Sequence, residues 1–293
     1  LGGLSFGYGT NAGVVRQENE DSLCVRPDIG LWAVADGMGG YKGGKTASRI
    51  TVEKLAEDVA AGIPLAESIS GIHHLIAALA RTDSAYESMG STVVAVKTEG
   101  KSYEVAWVGD SRAYLWNGLK LIRLTRDHSY IQLLIDNGVI SEVDALDHPE
   151  RHVILQALGA EEIDAVRVDT VAGVFGKNEK ILLCSDGLTN EVGESQISSL
   201  LRQPFSEQLL VDHLIEAARE NGGADNISAI LISGDSADLR EKPEGENPHN
   251  PSDGSPTGLL RPDAVETNHP FWFLMVIVFL ILFLSVIFLY DVF

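Results

Sequence analysis

The chain has 293 residues, room for one large domain or two small ones, and its 45% hydrophobic content is ample for a core. Against 42 acidic side chains stand 22 basic ones, a net charge of −20 that opposes binding to nucleic acid or to anionic lipid. Only two cysteines, Cys24 and Cys184, are present and they lie far apart, which argues against a disulfide framework and fits a reducing compartment.

The first nine residues lack a basic segment and a long apolar segment of the secretory kind, so the folded part is expected in the cytoplasm. Apolar β-like runs follow at 31–35, 91–97, 103–108, 113–116, 180–184 and 227–232. Glu99-Gly100 and Asn117-Gly118 have hairpin-turn chemistry, which makes the middle of the chain antiparallel. Apolar residues at three- and four-residue spacing predict helices at 46–61, 65–86, 130–137 and 206–221. His73 and His74 fall in the second of these. Adjacent helical side chains point about 100° apart, so the pair reads as an ordinary helix face and not as a metal site. The expected fold class is α+β, with packed antiparallel sheets and helices outside. No internal repeat is visible.

Composition changes at residue 234. Residues 234–270 hold six of the ten prolines among acidic residues, Gly, Ser and Asn, a mixture that cannot bury enough surface to order itself. It reads as a disordered tether following a domain of residues 1–233. Residues 271–290 are then continuously apolar except for Ser285. Twenty helical residues span about 30 Å, the hydrocarbon thickness of a bilayer, so this segment is expected to be a single-pass membrane anchor. Arg261 ahead of it is consistent with a cytoplasmic domain.

Four aspartates end the apolar runs: Asp36 in Ala35-Asp36-Gly37-Met38-Gly39-Gly40, Asp110 in Val108-Gly109-Asp110-Ser111, Asp186 in Cys184-Ser185-Asp186-Gly187, and Asp225 before Asn226-Ile227. An aspartate at the end of a buried strand is costly to keep ionised unless something positive meets it. Several such ends gathered together make a hard-oxygen cage suited to Mg²⁺ or Mn²⁺. Earlier in the chain, Arg16 precedes the acidic pair Glu20-Asp21, and its planar fork suits phosphoryl oxygens.

Taken in order, these segments resemble the metal-dependent type 2C (PPM) serine/threonine protein phosphatases in their compact bacterial form. The resemblance runs from Gly9 to about Ile232 and includes Arg16 through Asp21, Asp36 through Gly40, Met89-Gly90-Ser91-Thr92, Val108 through Tyr114, Leu124 through Ser129, Ala157-Leu158-Gly159, Ser185-Asp186-Gly187-Leu188 and Asp225-Asn226-Ile227. It implies a central antiparallel β-sandwich flanked by helix pairs, an αββα arrangement of four layers, with a site for two Mn²⁺ or Mg²⁺ ions at one end. By the resemblance, Asp36 bridges both ions, the Gly37 carbonyl binds one, and Asp186 and Asp225 bind the other. Glu20 and Asp21 correspond to carboxylates that hold water on the metals, Arg16 to the phosphate clamp, and Asp110 to a ligand of a weaker third ion. Residues 130–155 correspond to a variable flap. The segments 90–92 and 127–129 are expected to serve strand packing and turn geometry. The implied chemistry is attack of metal-activated water on a phosphoserine or phosphothreonine ester of a protein, with no protein nucleophile.

The chain departs from the family after Gly40, where Tyr41 and Lys45 stand in place of the usual His and Glu. The family's His is thought to protonate the leaving alkoxide, a task for which an imidazole with pKa about 6.5 is better matched than a phenol at about 10. Tyr41 is therefore a candidate catalytic residue of altered acidity, and Lys42 and Lys45 either are solvated loop lysines, lower the phenol's pKa or attract an anionic substrate. Two readings follow. One is a membrane-tethered phosphatase opposing a serine/threonine kinase; the other is a membrane-anchored module that binds phosphoproteins with little turnover.

Overall fold

The computed structural model describes residues 4–39, 42–82, 86, 88–145, 148–160 and 165–234. Residues 40 and 41, the greater part of the predicted tether and the predicted anchor lie outside them. Among the described residues, no helix is long and apolar enough to cross a membrane.

Two five-stranded antiparallel sheets form the centre. The first contains β1 (Ser5–Asn11), β8 (Arg112–Trp116), β9 (Leu121–Arg123), β11 (Lys180–Cys184) and β12 (Ile227–Ser233), in the order β1-β12-β11-β8-β9. The second contains β2 (Ser22–Arg26), β3 (Leu31–Ala35), β6 (Val93–Glu99), β7 (Ser102–Val108) and β10 (Asp169–Val174), in the order β10-β7-β6-β3-β2. A two-residue ladder joins β4 (Gly37–Met38) to β5 (Gly90–Ser91). Both predicted turns are present, with Gly100 and Gly118 at positive φ and Asn117 Oδ1 accepting from the Leu119 and Lys120 N–H groups.

Side-chain alternation distributes the strands among three cores. Trp32 and Val34 of β3 meet Ile181 and Leu183 of β11 and Ile230 and Ile232 of β12 between the sheets. The alternate residues Leu31, Ala33 and Ala35 face α1 (Gly43–Ala60) and α2 (Leu65–Ala80), packing with Leu55, Ile69, Ile72 and Ile76. On the other side Leu182, Cys184, Ala229 and Leu231 pack against α5 (Asp186–Thr189), α6 (Glu194–Leu201) and α7 (Glu207–Glu220) through Ile197, Leu210 and Leu214. The layers therefore run helix, sheet, sheet, helix. Central strands have both faces covered, so they read as continuous apolar runs. Each large side chain buried this way contributes about 1.5–3 kcal/mol before entropy is counted.

Polar side chains finish the edges. Gln208 of α7 takes the N–H of Tyr8 on Oε1 (3.2 Å) and donates from Nε2 to the Tyr8 carbonyl (3.0 Å), satisfying the outer edge of β1. Glu207 accepts hydrogen bonds from Ser5 and Ser233 and pairs with Lys180 at 3.2 Å, tying β1, β12 and β11 together. The flap segment carries α3 (Tyr130–Asp136) and α4 (Glu142–Ala145), α3 being capped by Ser129 Oγ, which accepts from the Gln132 N–H.

Candidate metal centre

Antiparallel register decides where the aspartates go. Ser22 of β2 pairs with Ala35 of β3, so Asp21 and Asp36 flank the same end of one sheet. Asp110 follows β7 at the Val93 end of β6, whose Val94 pairs with Val34 of β3. In the other sheet Cys184 pairs with both Ala229 and Arg112, bringing Asp186 and Asp225 to the corresponding end beside the start of β8. Five carboxylates from 200 residues of sequence thus meet at one end of the sandwich.

Close backbone approach makes the meeting tight. A Cβ on Gly37 would lie 2.1 Å from the Gly44 carbonyl oxygen and 2.7 Å from that of Glu20, and one on Gly187 would lie 2.1 Å from the Asn226 carbonyl oxygen. Only glycine fits at either place.

The electrostatics are those of like charges held together. Burial, followed by repulsion from Asp21, Asp186, Asp110 and Asp225, holds the Asp36 carboxyl well above the usual carboxylate range. Burial does the same to Asp110, reinforced by Asp186 and Asp127 and opposed by Arg112. Asp21 is pushed up to about 7, again by burial first, although Ser228 and Ser185 oppose the rise with hydrogen bonds. Asp186 is raised by burial and by Asp225, and Glu20 by burial against the pull of Arg16.

Four carboxylate oxygens here, Glu20 Oε1, Asp21 Oδ1, Asp110 Oδ1 and Asp186 Oδ1, are buried without a hydrogen-bond partner. A buried acceptor left this way costs about 1–3 kcal/mol, more if charged. The donor set is hard oxygen throughout and anionic, so its chemistry fits divalent cations of the Mg²⁺ and Mn²⁺ type. Among the described residues no three His, Cys, Asp or Glu side chains already close around a single point. The carboxylates form a converging, mutually repelling cluster, not a finished cage.

Arg16 Nη2 reaches Asp225 Oδ2 at 2.7 Å, at the rim of the cluster. Asp36, Gly37, Glu20, Asp21, Asp110, Asp186, Asp225 and Arg16 are accordingly all at this end of the fold. Tyr41 lies outside the described residues. His73 is buried, its Nδ1 accepting from the Gly159 N–H, which is a packing role. Burial pushes the Cys24 thiol up to about 11 and the Cys184 thiol up to about 12, so neither is a thiolate at neutral pH.

Several residues that hold this site in place were not assigned that role from sequence. Asn226, almost fully buried, takes the Glu20 N–H on Oδ1 (2.8 Å) and donates from Nδ2 to the carbonyls of Ala12 and Glu18, fixing the loop that carries Arg16. Thr92 Oγ1 accepts from the Asp36 N–H, and the Thr92 N–H and Ser91 Oγ donate to the Asp36 carbonyl, so the 90–92 segment holds Asp36 directly. Ser185 Oγ donates to Asp21 Oδ2 at 2.9 Å.

The Protein phosphatase 2C family model matches residues 9–231. The chain belongs to the protein phosphatase 2C family. Its fold is the PPM phosphatase fold, α+β with antiparallel sheets. Among relatives, the serine/threonine phosphatase stp of Listeria welshimeri is 35% identical over 240 residues, covering 77% of this chain and 94% of that protein. Among solved structures, serine/threonine phosphatase Stp1 from Staphylococcus aureus superposes with a TM-score of 0.74 at 30% identity, covering 78% of this chain and 94% of that one. The catalytic domain of the protein phosphatase PstP, solved in complex with two manganese ions, gives 0.68 at 30% identity, with 78% and 98% covered.

Proposed function

We propose that this chain hydrolyses phosphoserine and phosphothreonine esters on proteins with the help of two Mn²⁺ or Mg²⁺ ions. The observation that carries the reading is the set of buried, unpartnered carboxylate oxygens of Glu20, Asp21, Asp110 and Asp186 around Asp36, with a guanidinium at the rim. Two divalent ions, when bound, supply Lewis-acid charge and lower the pKa of water toward neutrality. The chain's own groups do the rest. Asp36, the Gly37 carbonyl, Asp186 and Asp225 would hold the two ions. Glu20 and Asp21 would orient the attacking water, Arg16 would grip the phosphoryl oxygens, and Asp110 would hold a weaker third ion. Tyr41 is the candidate for protonating the leaving oxygen. No side chain need act as nucleophile.

In the same reading residues 1–233 are the catalytic domain, 234–270 a tether and 271–290 a single transmembrane helix, so the enzyme works beside a membrane on the cytoplasmic side against a serine/threonine kinase. The support is the 20-residue apolar run and the Pro-rich acidic stretch before it. A second reading, a phosphoprotein-binding module with little turnover, is favoured only by Tyr41 and Lys45.

The test is phosphate release from a phosphothreonine peptide by the full chain in detergent, with Mn²⁺ and with chelator, beside Asp36→Asn. Metal-dependent release lost in the variant is expected. At 100 times its Kd, Mn²⁺ should also stabilise the fold by about 2.7 kcal/mol, a shift of about 5–10 °C in Tm that Asp36→Asn diminishes. A metal-induced shift without any release would favour the binding module. Extraction of the chain from membranes by alkaline carbonate would remove the anchor from the proposal.

A further inference from the structure

A cleft of about 390 Å³ lies on the α1 side of the metal centre, lined by Glu18, Lys42, Lys45, Thr46, Arg49 and Tyr86. Three relationships fix its position. Glu18 belongs to the loop that carries Arg16 and Glu20, a Cβ on Gly44 would lie 2.8 Å from Glu20 Oε1, and Ser48 Oγ donates to the Glu20 carbonyl. The cleft and the acidic cluster therefore share a wall.

The cations in it are arranged. Positions 42, 45 and 49 follow the three- and four-residue spacing that places side chains on one helix face, and all three are exposed. Lys42 and Lys45 make no ion pair among the described residues. Arg49 reaches Glu53 only at 3.6 Å, with both side chains 59% exposed, a pairing weak enough to exchange. Among the described residues of the lining, three cations face one carboxylate, Glu18, in a protein whose net charge is −20. Local rules run the other way: the start of a helix favours acidic side chains, yet α1 has no acidic residue in its first turn and carries lysines at 42 and 45. Residues that violate local preference without structural return mark function.

Resting on the phosphatase reading, we propose that this cleft is a subsite for a second anionic group of the substrate, a carboxylate or a further phosphoryl group on the peptide flanking the phosphorylated residue. Seven helical residues rise about 10 Å, which matches three residues of extended peptide. The Tyr86 hydroxyl adds a donor at the cleft. The row of cations lets a strongly acidic enzyme accept an acidic peptide that its overall field repels.

The experiment uses the full chain with Mn²⁺ and three peptides sharing one phosphothreonine: one with neutral flanks, one with glutamates scanned through the flanking positions, and one with a second phosphothreonine there. At low salt the anionic peptides should exceed the neutral one by about five- to tenfold in kcat/KM, through KM. Lys42→Ser/Arg49→Ser should bring that ratio close to one, and Lys42→Arg/Arg49→Lys should restore it. A preference for the second phosphothreonine over glutamate assigns the subsite to phosphate, and equal preference assigns it to negative charge of either source. A ratio near one in the unmodified chain, or a ratio that survives the double serine variant, overturns the proposal. If no peptide releases phosphate, the phosphatase reading fails. The subsite is then judged by the same ratios measured as binding affinities of non-hydrolysable phosphonate peptides.

Discussion

Arg16 Nη2 donates to Asp225 Oδ2 at 2.7 Å, so the proposed phosphate clamp is bonded to a proposed metal ligand. The bond and its attraction hold the Arg16 guanidinium above its ordinary pKa, and both side chains are partly exposed, so the pair can open. A divalent cation bound by Asp225 as proposed would compete with the guanidinium for this carboxylate. Arg16→Ala is expected to tighten Mn²⁺ binding severalfold, since it removes a competitor and a positive charge. The same variant should lower kcat/KM for a phosphothreonine peptide by about 10²-fold through loss of the clamp. Titration calorimetry and steady-state kinetics on the same preparations check both. Weakened metal binding would mean that Arg16 orders Asp225 for the ion instead of competing with it.

Tyr41 lies outside the described residues, and its chemistry alone carries the next expectation. An aryl phosphate releases a phenolate that needs no proton, whereas phosphothreonine releases an alkoxide that does. Tyr41→His should raise turnover of a phosphothreonine peptide about 10²-fold and barely change that of the aryl ester. Equal gains on both substrates would rule out leaving-group protonation as the difference.

Glu207 tests the far side of the fold. Burial opposes its ionisation, but hydroxyl donors from Ser233 and Ser5 and the charge of Lys180 outweigh it and bring the carboxyl down to about 2. A folded pKa below the unfolded one means that the unfolded chain binds more protons between about pH 4.5 and 2, so the stabilisation is complete above that window and disappears as pH falls through it. Discounted for solvent screening of a half-buried group, it is worth about 1 kcal/mol. Glu207→Gln should lower Tm by about 2–4 °C at pH 7 and match the parent near pH 2. A constant gap across the range would locate the effect in packing.

Much of the fold was legible because strands such as Leu31–Ala35 and Ile227–Ser233 are buried along their whole length and therefore read as predominantly apolar runs. The helices at Gly43–Ala60, Tyr130–Asp136 and Glu207–Glu220 follow their spacing closely, whereas the one predicted over 65–86 stops at Ala80, where Arg81 caps it and the chain turns. Strands Ser5–Asn11, Ser22–Arg26 and Asp169–Val174 were not legible. They lie at sheet edges with alternating or partial exposure, and the first is interrupted by Gly7 and Gly9 and relies on Gln208 for its outer hydrogen bonds. Helix Glu194–Leu201 is too short to establish a period. The aspartates were visible because an ion at a strand end is anomalous wherever it occurs. Asn226, Thr92 and Ser185 were not, since their partners stand 206, 56 and 164 residues away and nothing local distinguishes them from ordinary polar positions.

The acidic end of the sandwich draws Asp21, Asp36 and the β7-terminal Asp110 from one sheet, and Asp186 and Asp225 from the other. Ions held among them would rivet the two sheets together, and their loss would leave the halves pushing each other apart. Cohesion at this edge and turnover then depend on the same five side chains. Neutral replacements that relieve the repulsion should yield a sturdier sandwich with no chemistry.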